Sequence, residues 1–186
     1  MHGPLTRELF EATKNEIYQY REEPFQLSSG GTSNHYFNCR KITLVPEHLE
    51  KLVRVIRDEV LPGRNIARPP AAGGLTLGAD PIAVAFALAC LEDDGKVAPL
   101  IVRKEAKGHG MGRRIEGEWE GVPRVLALDD VITTGGSTLK AIAAFREAGI
   151  TVEHAVCVVD REEGGAEALA AEGVRLIGVF KKSDFK

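Results

Sequence analysis

From about residue 63 onward, short apolar runs alternate with segments of helical periodicity along this 186-residue chain. Strands are predicted near Ile66 and over residues 99–103, 125–128, 155–159 and 174–180, with helices over 81–91, 137–148 and 166–172. The run Val125, Leu126, Ala127 and Leu128 has no polar alternation, which suits a parallel strand covered on both faces. Strand, loop and helix in repeated order imply an α/β fold, a central, mostly parallel sheet flanked by helices. Upstream, Leu9, Ala12, Ile17 and Tyr20 predict a first helix. Leu49, Leu52, Val53, Ile56 and Val60 recur at helical spacing and predict a second. The intervening FQLSSGGTSNHYFNCRKITL is rich in turn residues and then strand-like. There is no internal repeat or low-complexity linker, and the length suits one α/β domain with a small appendage.

The pattern is most informative at VLALDDVITTGGST, residues 125–138. Asp129 and Asp130 fall at the carboxyl end of a strand. Thr133, Thr134, Gly135, Gly136 and Ser137 then lead into a helix carrying Leu139, Ile142 and Phe145. In open α/β sheets this edge binds ligands. Glycines let backbone approach closely, free N–H groups of a first helical turn favour an anion, and the hydroxyls can donate to phosphate oxygens. The acids would repel that anion, so they suit ribose hydroxyls or a metal carried by the ligand. An N-cap beside a solvated acid pair accounts for neither the paired acids nor the glycines.

This stretch resembles the 5-phosphoribosyl-1-diphosphate (PRPP) binding motif of type I phosphoribosyltransferases. It lacks the Gly-Lys-Ser/Thr ending of a P-loop and the G-x-G-x-x-G of dinucleotide sites. The resemblance implies that Asp129 to Thr138, with Val131 and Ile132 between the acids and the loop, bind PRPP.

A second stretch, VRKEAKGHGMGRRIEG (residues 102–117), gathers cations around alternating glycines. That composition predicts a mobile cationic loop able to close over a polyanion, or else a solvated basic hairpin. Its R-K-x-x-K-x-H-G order resembles the catalytic loop of orotate phosphoribosyltransferases. The likeness implies PRPP contacts from Arg103, Lys104, Lys107 and His109, and catalytic roles for Lys107 and His109 beside Asp129 and Asp130.

Three further stretches fit the same family. FQLSSGGTSNHYFNCR reads alone as a Ser-Gly turn before a strand. In the family such a segment lies over the base, which implies orotate contacts from Phe25, Ser29 and Gly30, with Thr133 near the same substrate. AAGGLTLGADP reads as a tight strand-to-helix turn or as a diphosphate cradle of backbone N–H groups. VVDREEGG places Arg161 at the ligand edge. There it can pair with a carboxylate, as the family pairs it with orotate, or with Glu162 or Glu163 as a surface ion pair. Two departures stand out: Ser28 and Gly78 occupy positions where many members carry lysine.

The resemblance thus implies a type I phosphoribosyltransferase fold in a single domain over residues 1–186, with roughly the first 45 residues forming an N-terminal hood. It implies transfer of ribosyl phosphate from PRPP to orotate with Mg2+ and no protein-only metal site, though Asp129 and Asp130 could assist the ion. It also implies a homodimer in which Arg103, Lys107 and His109 act in trans. A purine or uracil phosphoribosyltransferase and a PRPP-sensing regulator are the rival readings. Composition narrows the partners. A net charge of −3 without a long basic run argues against nucleic acid. No apolar stretch reaches a membrane span, and the opening MHGPLTRELF lacks a signal-peptide core. Cys39, Cys90 and Cys157 are widely spaced and suggest neither a disulfide framework nor a metal site, so the cytoplasm is the expected compartment.

Overall fold

The computed structural model describes residues 3–26, 31–105 and 114–185. Helix α1 (Pro4–Ile17) leads into an antiparallel hairpin, β1 (Tyr18–Gln26) and β2 (Thr32–Phe37). A short α2 (Arg40–Thr43) and α3 (Pro46–Arg54) follow, and α3 continues as a wider π-helical turn over Val55–Val60. The remainder alternates: β3 (Ala71–Leu75), α4 (Asp80–Leu91), β4 (Ala98–Val102), β5 (Ile115–Glu116), β6 (Leu126–Ile132), α5 (Gly136–Glu147), β7 (His154–Asp160), α6 (Gly165–Ala171) and β8 (Arg175–Lys181). Strands pair in the order β5-β4-β3-β6-β7-β8, all parallel except β5.

The unalternated apolar strands are covered on both faces, as their sequence requires. Leu126 and Leu128 of β6 enter the core shared with α1, α3 and α4. Val125 and Ala127 enter the opposite core, shared with α5 and α6. The sheet therefore sits between two helical layers, with its carboxyl edge free to carry loops.

Three expectations need correction. The strand predicted near Ile66 lies at Ala71–Leu75 instead. Its small residues have poor strand propensity, but β3 is central and packs against both α4 and α5, so burial overrides propensity. Pro69 and Pro70 have no N–H to give to a ladder, which delays pairing until Ala71. Second, β6 does not stop at Leu128 but runs through both acids, with Val131 and Ile132 still paired to Val159 and Asp160. Third, Tyr20 belongs to β1 rather than to the first helix, which ends at Ile17. Helical spacing there ran on by coincidence across the start of a strand.

Candidate active site

The ends of β3, β6 and β7 converge on two adjoining cavities that share Leu75, Lys104, Asp129, Val131, Thr133 and Ser137. One, of about 640 Å³, is lined by the whole loop from Thr133 to Thr138. The other, of about 500 Å³, runs from the acids to Arg161 and is roofed by Gln26 and Tyr36 of the hairpin.

The loop conformation follows from Gly135, which caps α5 with φ at 83°, a region that favours glycine. The chain turns there, and the first N–H groups of α5 face the larger cavity beside the Thr133, Thr134 and Ser137 hydroxyls. Thr138 differs from them. It is buried, and its Oγ1 donates to Asp129 Oδ2 at 2.8 Å.

The acid pair is asymmetric. Asp129 is buried, and its Oδ1 also accepts the Asp130 N–H at 3.0 Å. Burial pushes its carboxyl up to about 7; the Thr138 hydrogen bond opposes that rise, and the neighbouring Asp130 charge adds to it. Asp130 is half-buried, and its Oδ1 accepts the Val131 N–H at 2.8 Å. Gly78 packs directly on the pair: a Cβ there would lie 2.6 Å from Asp129 Oδ1 and 2.8 Å from Asp130 Oδ1. Both oxygens are held by backbone N–H groups and cannot swing aside freely. A side chain at Gly78 would thus crowd the acid pair as it is arranged in this structure.

At the far end, Arg161 is 4% exposed and lines the smaller cavity. Its guanidinium lies over the Phe37 ring, with Cζ 5.8 Å from the centroid. Its Nη2 donates to the His35 carbonyl and to Glu163 Oε1, both at 3.2 Å, while its buried Nε has no hydrogen-bond partner among the described residues. The surface ion pair envisaged from sequence is therefore a part-buried one, to Glu163. Glu162 turns away and accepts the Ser183 N–H.

The other sequence-nominated residues are placed as follows. Lys104 lines both cavities, whereas Arg103 lines neither and lies 3.5 Å from Glu116; the two residues share a third cavity at the end of their strand. Phe25 does not line either of these two cavities; it stacks on Tyr36, with centroids 4.9 Å apart, and Tyr36 lines the smaller one. Ser28, Ser29, Gly30, Lys107 and His109 lie outside the described residues. Sequence reasoning did not single out Gln26, Tyr36, Asn38 or Arg40 at the smaller cavity, nor Lys182 behind Glu163. The first four lie inside the stretch FQLSSGGTSNHYFNCR, where residue type alone does not tell which side chains face the cavity, and Lys182 lies in no motif and is brought in by the last turn. Cys39 also reaches this cavity. Burial, and then the charges of Asp130 and Asp129, keep its thiol well above its usual range, so it is a neutral wall atom.

No family model matches the chain. The orotate phosphoribosyltransferase of Leptospira biflexa is 51% identical over 177 residues, covering 95% of each chain. Among solved structures, the Mycobacterium tuberculosis orotate phosphoribosyltransferase in complex with Fe(III) dicitrate superposes with a TM-score of 0.79 at 36% identity, covering 98% of this chain and 99% of that one. The same enzyme in complex with PRPP superposes with a TM-score of 0.75 at 32% identity, covering 100% and 94%. Half the residues are shared along nearly the full length, and the mostly parallel sheet flanked by helices is the expected architecture. The chain belongs to the orotate phosphoribosyltransferases.

Proposed function

We propose that this cavity transfers 5-phosphoribosyl from PRPP to orotate, releasing diphosphate and forming orotidine 5′-monophosphate for pyrimidine synthesis. The observation that carries the reading is a pair of adjoining cavities with shared walls, an anion loop at one end, an acid pair in the middle and a buried arginine whose Nε has no partner among the described residues at the other. Residues 133–137 hold the 5-phosphate through N–H groups and hydroxyls. Asp129 and Asp130 hold the ribose hydroxyls and so fix the ring, and Asp130 offsets positive charge at the ribosyl centre as the C–O bond breaks. Lys104 from the same chain meets the growing charge on diphosphate. Arg161 takes the orotate carboxylate, beneath a hood formed by the first residues of the same single domain.

Among the described residues no group of three or more His, Cys, Asp or Glu side chains could hold a metal ion. The acid pair fits a magnesium ion that arrives with phosphate and ribose oxygens, to which Asp130, and through it Asp129, lend negative charge. Held there by Asp130 and Asp129 together with ligand oxygens, magnesium would supply positive charge against the leaving diphosphate.

An exposed apolar surface and the position of Arg103 support a homodimer acting in trans. Arg103 lies outside the two site cavities, 3.5 Å from Glu116, and shares with Lys104 a third, open cavity beside them. Leu77, Val84, Leu88 and Leu91 form an exposed apolar stripe along α4 and the loop before it, at 70%, 45%, 61% and 55% exposure. We assign that stripe to pairing. The three cysteines are free thiols, which fits a reducing cytoplasm, and no described helix is long and apolar enough to cross a membrane.

The direct test is orotate consumption followed by absorbance with PRPP and magnesium; no orotate loss, or undiminished turnover after chelation, removes the reading or its magnesium arm respectively. For action in trans, Lys107→Ala and Asp130→Asn subunits are mixed under exchange. Random pairing gives half heterodimers with one intact site of two, so activity should return to roughly a quarter of wild type. A verified heterodimer without recovery sinks the trans assignment and leaves the enzyme.

A further inference from the structure

Arg161 faces a conflict. A carboxylate-binding arginine needs its positive charge free, yet Glu163 already sits on Nη2 at 3.2 Å, with Arg161 buried and Glu163 only 28% exposed. A one-to-one buried pair would present a neutral surface to an anionic substrate. The same Glu163 oxygen, however, also accepts Lys182 Nζ at 3.0 Å, and the Lys182 side chain is 24% exposed. The cluster of Arg161, Glu163 and Lys182 therefore keeps one net positive charge.

Lys182 is held for this purpose by its surroundings. It opens the 3₁₀ turn Lys182–Phe185 that follows β8. That turn is tied back by Ser183 N–H to Glu162 Oε2 at 2.9 Å and by Lys181 N–H to Asp184 Oδ2 at 2.7 Å. Phe185 anchors it against Phe37, with centroids 5.2 Å apart, and Phe37 is the ring beneath the Arg161 guanidinium. One turn thus supplies both the counter-charge for Glu163 and the wedge behind the arginine's platform.

We infer that Lys182 and Glu163 form a positioning relay in which Lys182 draws Glu163 charge away from Arg161, leaving the arginine fixed in direction and available to the substrate carboxylate. This rests on the assignment of Arg161 to orotate made above. Glu163 by itself orients the guanidinium, with the His35 carbonyl as second anchor. Lys182 decides how much of the arginine's charge remains. The Glu163 carboxyl reports the balance: burial raises it, but the Lys182 hydrogen bond and the Arg161 charge outweigh that and lower it.

The test separates charge from packing by kinetics on full-length enzyme. Lys182→Met keeps the aliphatic stem and removes the charge. It should raise the orotate KM about tenfold, the low end for loss of a hydrogen bond to a charged group, while the PRPP KM and kcat stay within twofold. Glu163→Gln, which keeps an acceptor for Arg161, should not raise the orotate KM. The double variant Lys182→Met/Glu163→Gln should return the orotate KM toward wild type, because the unbalanced charge is gone. A merely structural Lys182 predicts the opposite, with the double variant no better than Lys182→Met. That result, an unchanged orotate KM in Lys182→Met, or an equal rise in both KM values overturns the relay. Wild-type enzyme that consumed PRPP but not orotate would overturn the substrate assignment first, and the relay with it.

Discussion

The two ends of the cavity are built by opposite means. The phosphate end is built mainly by one uninterrupted segment, Asp129 to Thr138, a strand, turn and helix, with Leu75 and Lys104 completing the wall. The carboxylate end is assembled from separate places: Tyr36 and Phe37 in β2, Arg161 and Glu163 after β7, and Lys182 and Phe185 after β8. A contiguous anion site depends on backbone conformation and close approach. An assembled one depends on side-chain partners, each holding the next. The two should therefore fail differently when single residues are changed.

Removing the arginine should have the largest effect. On the assignment proposed above, Arg161→Ala leaves the substrate carboxylate without its partner in a buried site, at a cost of about 2–5 kcal/mol. Orotate affinity should fall by tens to thousands of fold, with the PRPP KM little changed. Steady-state kinetics varying each substrate in turn checks this; equal weakening of both would mean that the two ends are not independent.

Next comes the backbone approach at the acid pair. Gly78→Ala places a methyl 2.6 Å from Asp129 Oδ1, so the acids or the loop must shift. A displacement on the ångström scale at a positioning group costs about 10²-fold in rate. Turnover should drop by that order, with orotate binding in equilibrium dialysis retained. Near-wild-type turnover would show that the acids have slack which their hydrogen bonds do not suggest.

The same contrast explains what the sequence revealed. The phosphate end was legible because paired acids, hydroxyls and glycines occur in fixed order on one strand–loop–helix unit. Even there, Thr138 was grouped with the phosphate loop, although its hydroxyl donates to Asp129. Residue type identified a donor but not its direction, which depends on helix phase. At the other end, Arg161 was found from its strand-end position, but its buried setting was not, and Lys182 carried no signal because it lies 19 residues beyond Glu163. The alternating half of the fold was readable from apolar runs. The hairpin β1 was not, since YQYREEPFQ is largely exposed and has no face to bury.

Thr138 gives a smaller and more selective test. Thr138→Val keeps the shape and deletes the donor to Asp129 Oδ2, leaving a buried carboxylate oxygen unpaired. Turnover should fall about tenfold, as for loss of a hydrogen bond to a charged group, and Thr138→Ser should restore it. A rise confined to the PRPP KM, with kcat intact, would return Thr138 to the phosphate site.

The smallest effect is predicted far from either end. Glu59 accepts the Leu5 N–H at 2.7 Å, the Thr6 N–H at 3.0 Å and the Thr6 hydroxyl at 2.6 Å, so it caps α1, the helix that leads into the hairpin. Burial raises its carboxyl, but these hydrogen bonds outweigh burial and hold it below its ordinary value of 4.5. A folded-state value lowered in this way gives stability that is complete above the unfolded value and is lost as pH falls through the folded one. Glu59→Gln should cost about 1 kcal/mol near neutral pH, or a Tm shift of roughly 2–4 °C for a chain of this size. The gap between variant and wild type should narrow as pH drops below about 4.5. Because α1 feeds only the hairpin side of the cavity, any kinetic change should appear in the orotate KM and stay within about twofold, a few tenths of a kcal/mol. Thermal melts across an acid series, with the two KM values measured at neutral pH, decide it. A gap that widened on acidification would contradict the capping role, and a shift in the PRPP KM alone would tie α1 to the wrong end of the cavity.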